Sequence, residues 1–332
     1  MHENLDFINQ ENKDRKIEAE INKFWRDKNF KITLDGKELT LKEAYLEAVK
    51  RAKEVFSKTQ KILEQEIPQD KFILYINQTE NGMMQNPNIK YVDKDRLELI
   101  NEAETGERTL MENYQVANIR YCLGMDKDDK RFKVFNSYQD DPSTLDLNSC
   151  VGVIFSGGEA YIKDEMNEDR KNMIQTSKQI VEKTKNLKLP RLGICFGAQL
   201  LADNSGGKVD WVYEEDHNKR ITGPENIKPT NEEVLPKDLT IAENHAQDIH
   251  LGNLQAEVLA LNENGALEVF QFENTLCTQG HPEVGSNRLD LGLDLNKKEE
   301  SKQKIFESNI EKTREYFFIK FIKNAGEYNK NR

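Results

Sequence analysis

Cys195 sits within Leu192-Gly193-Ile194-Cys195-Phe196-Gly197-Ala198-Gln199, where a short apolar run meets a helix-like stretch through small residues. A thiol at the apex of a strand-to-helix elbow points out of the sheet and can act as a nucleophile, and glycines flank it because larger side chains would clash. The helix N-terminus beneath it adds a partial positive charge that favours an anion. A buried structural cysteine between packing glycines is the competing reading. Two other segments weigh against that alternative. Ser156-Gly157-Gly158 closes an apolar run, so a main-chain N–H there can approach a substrate oxyanion with no side chain in the way. Gln279-Gly280-His281-Pro282-Glu283 follows another apolar run and carries an imidazole and a carboxylate two positions apart on a proline-stiffened turn. His281 can take the thiol proton and Glu283 can fix the imidazole tautomer. Each segment alone reads as an ordinary turn.

The elements needed to position these groups are legible as alternation. Phe72–Ile76, Phe132–Phe135 and Val151–Phe155 are short apolar runs of the kind buried in a parallel sheet. Leu110, Tyr114, Ala117 and Tyr121 share one helical face, with Gly124 as a C-terminal cap, and Met173, Ile180 and Val181 lie in a further helix that stops near Pro190. This predicts an α/β fold, a doubly wound and mainly parallel sheet flanked by helices. After Gly206-Gly207, runs at 208–213, 239–243, 256–261, 266–272 and 276–279 suggest a small antiparallel layer beside it. Residues 1–70 read as a mainly helical N-terminal extension of unknown role. They contain a strand over Phe30–Leu34, a turn at Asp35-Gly36 and a capping box from Thr40 to Glu43 that opens a helix. Residues 71–297 form the α/β domain, with 78–108 a polar, turn-rich insertion. Residues 298–332 form an amphipathic helix packed on that domain, with Phe306, Ile310, Phe317 and Phe321 on one stripe and Gly326 beyond them.

Composition excludes several classes of function. The 332 residues carry 48 Lys plus Arg against 59 Asp plus Glu, a net charge of -11, with no long basic stretch, which argues against nucleic-acid binding. No run approaches the roughly 18 apolar residues of a membrane span, and the polar start lacks a signal segment, so a soluble cytoplasmic protein is expected. Four cysteines without a CxxC pair read as reduced thiols, and no metal or other cofactor is expected.

Taken in order, the glycine loop, the cysteine elbow Gly193-x-Cys195-x-Gly197-x-Gln199 and His281-Pro282-Glu283 resemble the class I glutamine amidotransferase family. Gly206-Gly207-Lys208-Val209 adds a likeness to its small stand-alone members, similar to the glutaminase half of GMP synthetase. The resemblance runs from about Lys71 to Val284. It implies a flavodoxin-like fold, Cys195, His281 and Glu283 as the triad, and the N–H groups of Gly158 and Phe196 as the oxyanion hole. Gly157, Gln199 and His245 would contact the substrate, glutamine or a γ-glutamyl compound, and a separate ammonia-accepting synthase is an open partner. Two positions depart from the family pattern: Glu159-Ala160 replaces the usual proline after the glycine pair, and Ala198 stands where many members have His or Met. Three activities remain open: a glutamine amidotransferase or glutaminase, a γ-glutamyl peptide hydrolase, and a partner-binding protein with a vestigial triad.

Overall fold

A computed structural model describes residues 2–80, 91–104, 114–285, 303–304 and 309–332, apart from the side chains of 2–11, 100–104 and 114. Leu110 and Phe306, and parts of the proposed 78–108 insertion and 298–332 helix, lie outside the described residues. The first elements are α1 (His2–Ile21), α2 (Lys23–Arg26), a hairpin of β1 (Lys31–Leu34) and β2 (Lys37–Thr40), and the long α3 (Leu41–Glu66). Asp35 and Gly36 both have positive φ, the tight-hairpin geometry that suits the twist of the two strands.

The capping box is formed: the Thr40 hydroxyl accepts from the Glu43 N–H at 3.3 Å, and the Glu43 carboxylate accepts from the Thr40 N–H at 2.7 Å. Thr40→Ala is expected to lower the unfolding free energy by about 1 kcal/mol, read as a lower urea midpoint at unchanged slope.

Among the described residues the central sheet has nine strands. Its parallel part is β3 (Phe72–Asn77), β4 (Phe132–Asn136), β5 (Cys150–Phe155), β6 (Arg191–Ile194) and β13 (Thr275–Thr278). Every residue of β3 and β5 is buried, because helices cover both faces. Successive β3 side chains point to opposite sides. Ile73 and Tyr75 pack in one core with Ile119 and Cys122 of α5 (Tyr114–Cys122) and Phe317 and Phe321 of α8 (Ile310–Lys330). Leu74 and Ile76 pack in another with Met173 and Ile180 of α6 (Glu168–Asn186) and Leu200 and Leu201 of α7 (Phe196–Asp203). The fold is thus an α/β layered structure with helices on both faces of a mainly parallel sheet.

The antiparallel runs divide in a way their sequences did not reveal. β12 (Leu267–Phe272), β11 (Glu257–Leu261), β8 (Ile221–Pro229) and β9 (Leu239–His245) continue the central sheet, whereas β7 (Lys208–Trp211) and β10 (Gln247–His250) form a small separate pair. Strand β8 gives little sequence signal, because Gly223, Pro224 and polar residues interrupt it and few of its positions are buried. Within the expected polar insertion the structure holds a helix, α4 (Lys94–Glu104), whose Arg96 is fully buried and donates to the Tyr45 hydroxyl of α3 at 2.9 Å. Gly326 lies inside α8, where its bare backbone lets Glu66 of α3 approach. No helix among the described residues is long and apolar enough to cross a membrane.

Candidate active site

Three parallel strands end side by side. Phe155 of β5 pairs with Gly193 of β6, and Ile194 of β6 with Thr278 of β13, so the three segments that leave the sheet emerge together at its carboxyl edge. Open α/β sheets bind ligands at this edge. The Cys195 N–H donates to the Thr278 carbonyl at 2.9 Å, and the Gly197 N–H to the Ser156 carbonyl at 2.9 Å, tying the elbow to both neighbours.

Cys195 has φ 49° and ψ -110°, a backbone conformation costly for any residue with a side chain and tolerated where the surroundings over-determine it. What fixes it is packing: a Cβ at Gly197 would come within 2.2 Å of the Phe155 carbonyl oxygen. On the loop after β5, a Cβ at Gly157 would lie 2.8 Å from His281 Cε1, and one at Gly158 would lie 2.6 Å from the Gln78 carbonyl oxygen. The glycine pair is therefore required by close approach of the imidazole on one side and of the backbone following β3 on the other. Phe196 is the first residue of α7, where an N–H has no carbonyl four residues back within the helix.

His281 Nδ1 lies 2.8 Å from Glu283 Oε1. A carboxylate can only accept, so Nδ1 donates and Nε2 is left free of that contact, with Cys195 near enough for its charge to act on the imidazole. Burial alone would lower the His281 pKa, but the Glu283 charge, then the Cys195 charge and the hydrogen bonds to both, raise it well above the ordinary histidine range. The structure thus brings Cys195, His281 and Glu283 together with Gly157, Gly158 and Phe196 at one edge.

The remaining predicted substrate contacts are placed differently. Gln199 is buried and its amide donates to the Gln247 carbonyl at 2.8 Å, so it braces β10. Gln247 in turn accepts from the Ile162 N–H at 2.9 Å and donates to the Lys163 carbonyl at 3.0 Å, holding the chain that follows the glycine loop. His245 is buried, with Nδ1 3.0 Å from Glu243 and Nε2 3.0 Å from Asp248. Burial opposes its protonation, but Asp248 and Glu243 hold its pKa well above the ordinary value. Its backbone neighbour faces the site: the Asn244 carbonyl is 4.0 Å from Cys195 Sγ.

Several participants escaped the sequence reading. Glu268 of β12 accepts from the Gly280 N–H at 2.8 Å and from Thr278 Oγ1 at 3.2 Å, bracing the approach to His281. Burial first, and then the nearby Glu243 charge, push its carboxyl well above the usual range. The His281 N–H donates to the Ala242 carbonyl of β9 at 2.8 Å. Glu243 and Asp248 flank the Asn244–Gln247 segment and could have been suspected from it, whereas Glu268 has no local motif. Glu159, in place of the family's proline, has buried carboxylate oxygens, and that burial raises its pKa. Among the described residues no group of three or more His, Cys, Asp or Glu side chains is placed to hold a metal ion.

A glutamine-hydrolyzing GMP synthase of Petrotoga mobilis is 28% identical over 168 residues, covering 49% of this chain and 30% of that one. A protein of Picrophilus torridus named as one subunit of a glutamine-hydrolyzing GMP synthase is 29% identical over 153 residues, covering 44% of this chain and 75% of that one. Gamma-glutamyl peptidase 4 of Arabidopsis thaliana is 31% identical over 162 residues, covering 45% of this chain and 59% of the peptidase. The match thus spans less than a third of the Petrotoga synthase. The family model described as glutamine amidotransferase class-I matches residues 110–293, more than half of the chain. The chain belongs to the class-I glutamine amidotransferase family.

Proposed function

We propose that the protein hydrolyses the side-chain amide of glutamine through a thioester on Cys195. The observation that carries this reading is the meeting of Cys195, His281 and Glu283 beside a glycine pair at one sheet edge. Cys195 Sγ, its proton passed to His281, attacks the carboxamide carbon. The N–H groups of Gly158 and Phe196 receive the oxyanion, each contributing roughly 3 to 4 kcal/mol by analogy with other acyl transfers. His281 then returns its proton to the leaving nitrogen and ammonia departs. Water, deprotonated by His281, attacks the thioester, and glutamate leaves as the thiol reforms. No cofactor enters these steps. Gly157 supports the reading by admitting the imidazole, and His245 with Gln199 and Gln247 supports it by fixing the wall that carries the Asn244 carbonyl.

The likeness to a protein that forms one subunit of a GMP synthase makes a separate ammonia-accepting enzyme a natural partner. The likeness to a γ-glutamyl peptidase keeps a second substrate in play, because the same thioester forms from any γ-glutamyl amide. The deciding measurement is ammonia released from glutamine beside amine released from γ-glutamyl dipeptides, by the same preparation. Higher kcat/KM on glutamine is expected, and higher kcat/KM on the dipeptides would move the assignment to the peptidase. Titration with a glutamine-like electrophile addresses the vestigial reading: Cys195 should react faster than the deeply buried Cys277, and equal rates would leave no working triad.

A further inference from the structure

From the proposed triad chemistry and the contacts around its last member, we infer that Asn118 and Arg314 are positioning residues that hold Glu283 in register with His281. The Glu283 backbone carbonyl accepts from Asn118 Nδ2 at 2.7 Å and from Arg314 Nη2 at 2.8 Å. Both donors are fully buried, and so is the carbonyl they share. The first residue of the turn is held elsewhere, by its N–H on Ala242 of β9. The short His281–Glu283 segment is thus pinned at one end by the sheet and at the other by two side chains from two different helices. With those two bonds gone, the turn itself, the imidazole contact and the Cys122 thiol, 3.8 Å from the same carbonyl, would be left to hold Glu283.

The two donors come from helices that are braced together. Asn118 is on α5, whose Tyr121 stacks on Phe56 of α3 with ring centroids 4.6 Å apart. Arg314 is on α8, where Glu311 lies 3.2 Å from its guanidinium. The first turn of α8 is hooked to β9 through Thr313 Oγ1, which donates to the Thr240 carbonyl at 2.6 Å. Along its length α8 packs on α3, with Lys58 paired to Glu315 and Lys330 to Glu66 at 2.6 Å. The region before the α/β domain, which no catalytic motif explains, therefore reaches the chemistry through the two helices that grip Glu283.

The test compares Asn118→Leu, close in shape but unable to donate, with Arg314→Met and Arg314→Lys, and uses Lys58→Ala as a control that breaks a surface contact of the same helices. Glutamine kcat and KM are measured together with the pH dependence of kcat, and near-ultraviolet circular dichroism establishes that each variant is folded. Asn118→Leu and Arg314→Met should lower kcat about 10- to 100-fold. KM should move by less than about 3-fold. The alkaline limb of the profile should shift to lower pH, because a displaced Glu283 no longer holds the His281 proton. Arg314→Lys, which keeps a donor and the charge, should recover part of the loss, and Lys58→Ala should match the parent. A folded Asn118→Leu enzyme with parental kcat and an unmoved limb overturns the inference. So does a fall in activity that is uniform across pH, which a merely loosened fold would give. Cys195→Ala separates the two levels: turnover without the thiol defeats the triad reading itself, whereas loss there with no effect at Asn118 and Arg314 defeats only their positioning role.

Discussion

Cys195→Ala should reduce glutamine hydrolysis by about 10⁴- to 10⁶-fold, the range seen when the nucleophile of a comparable triad is removed, and leave the fold intact. The thiol supplies the covalent path in the mechanism, and neither His281 nor the oxyanion donors can replace it. The substitution removes one sulfur from a nearly buried position, and the hydrogen bonds that hold the elbow belong to the backbone: Cys195 N to Thr278, Gln199 N to Cys195. Alanine inherits the same strained φ, so the melting temperature should barely change. Ammonia release and calorimetry on one sample check both halves. Activity within about tenfold of the parent would remove Cys195 from the chemistry.

Glu283→Gln should lower kcat by about 10² to 10⁴, because glutamine can present its amide N–H to Nδ1 and so stabilise the wrong imidazole tautomer. The pH profile should move as well. Burial lowers the His281 pKa, and the Glu283 charge is the largest influence raising it, so its removal carries the alkaline limb toward lower pH. Stability follows the same linkage. A histidine whose folded pKa is raised contributes stability that is fully present below its unfolded value near 6.5 and lost as pH rises through the folded value. Urea titrations of the parent should therefore show a decline across that alkaline window, and Glu283→Gln should flatten it. An unchanged decline in the variant would mean that another group is responsible. His245, raised by Asp248 and Glu243, is the group to examine next.

The cysteine elbow was legible because steric necessity is written locally: Gly197 must be glycine to lie against the Phe155 carbonyl, and it stands two residues from the thiol. His281 and Glu283 were legible for the same reason, being neighbours on one turn. Gln199 is harder to read, because a polar side chain beside a nucleophile looks available to substrate, and only the folded chain shows its amide donating to Gln247. Asn118 and Arg314 left no trace, since their shared target lies 165 and 31 residues away and no spacing rule links them. The sheet was read strand by strand where apolar runs are continuous, as in β3 and β5, and missed where burial is sparse, as in β8. Helix α4 was hidden by the turn-forming residues around it, and its anchor is a buried arginine, which hydrophobic periodicity does not register.

The pairing of α3 with α8 has a consequence for how the protein is made. The two helices are separated by about 250 residues, and at synthesis rates of roughly 5 to 20 residues per second that interval lasts on the order of 10 to 50 seconds. Until then the apolar stripe of α3, with Leu63 and its neighbours, waits on the ribosome without its final cover. The nascent chain thus spends much of its translation with the part of the α3 surface that α8 covers still open, a natural substrate for a holdase chaperone. Ribosome-bound chains stopped before Ile310 should remain sensitive to protease at α3, and chains released with α8 present should not.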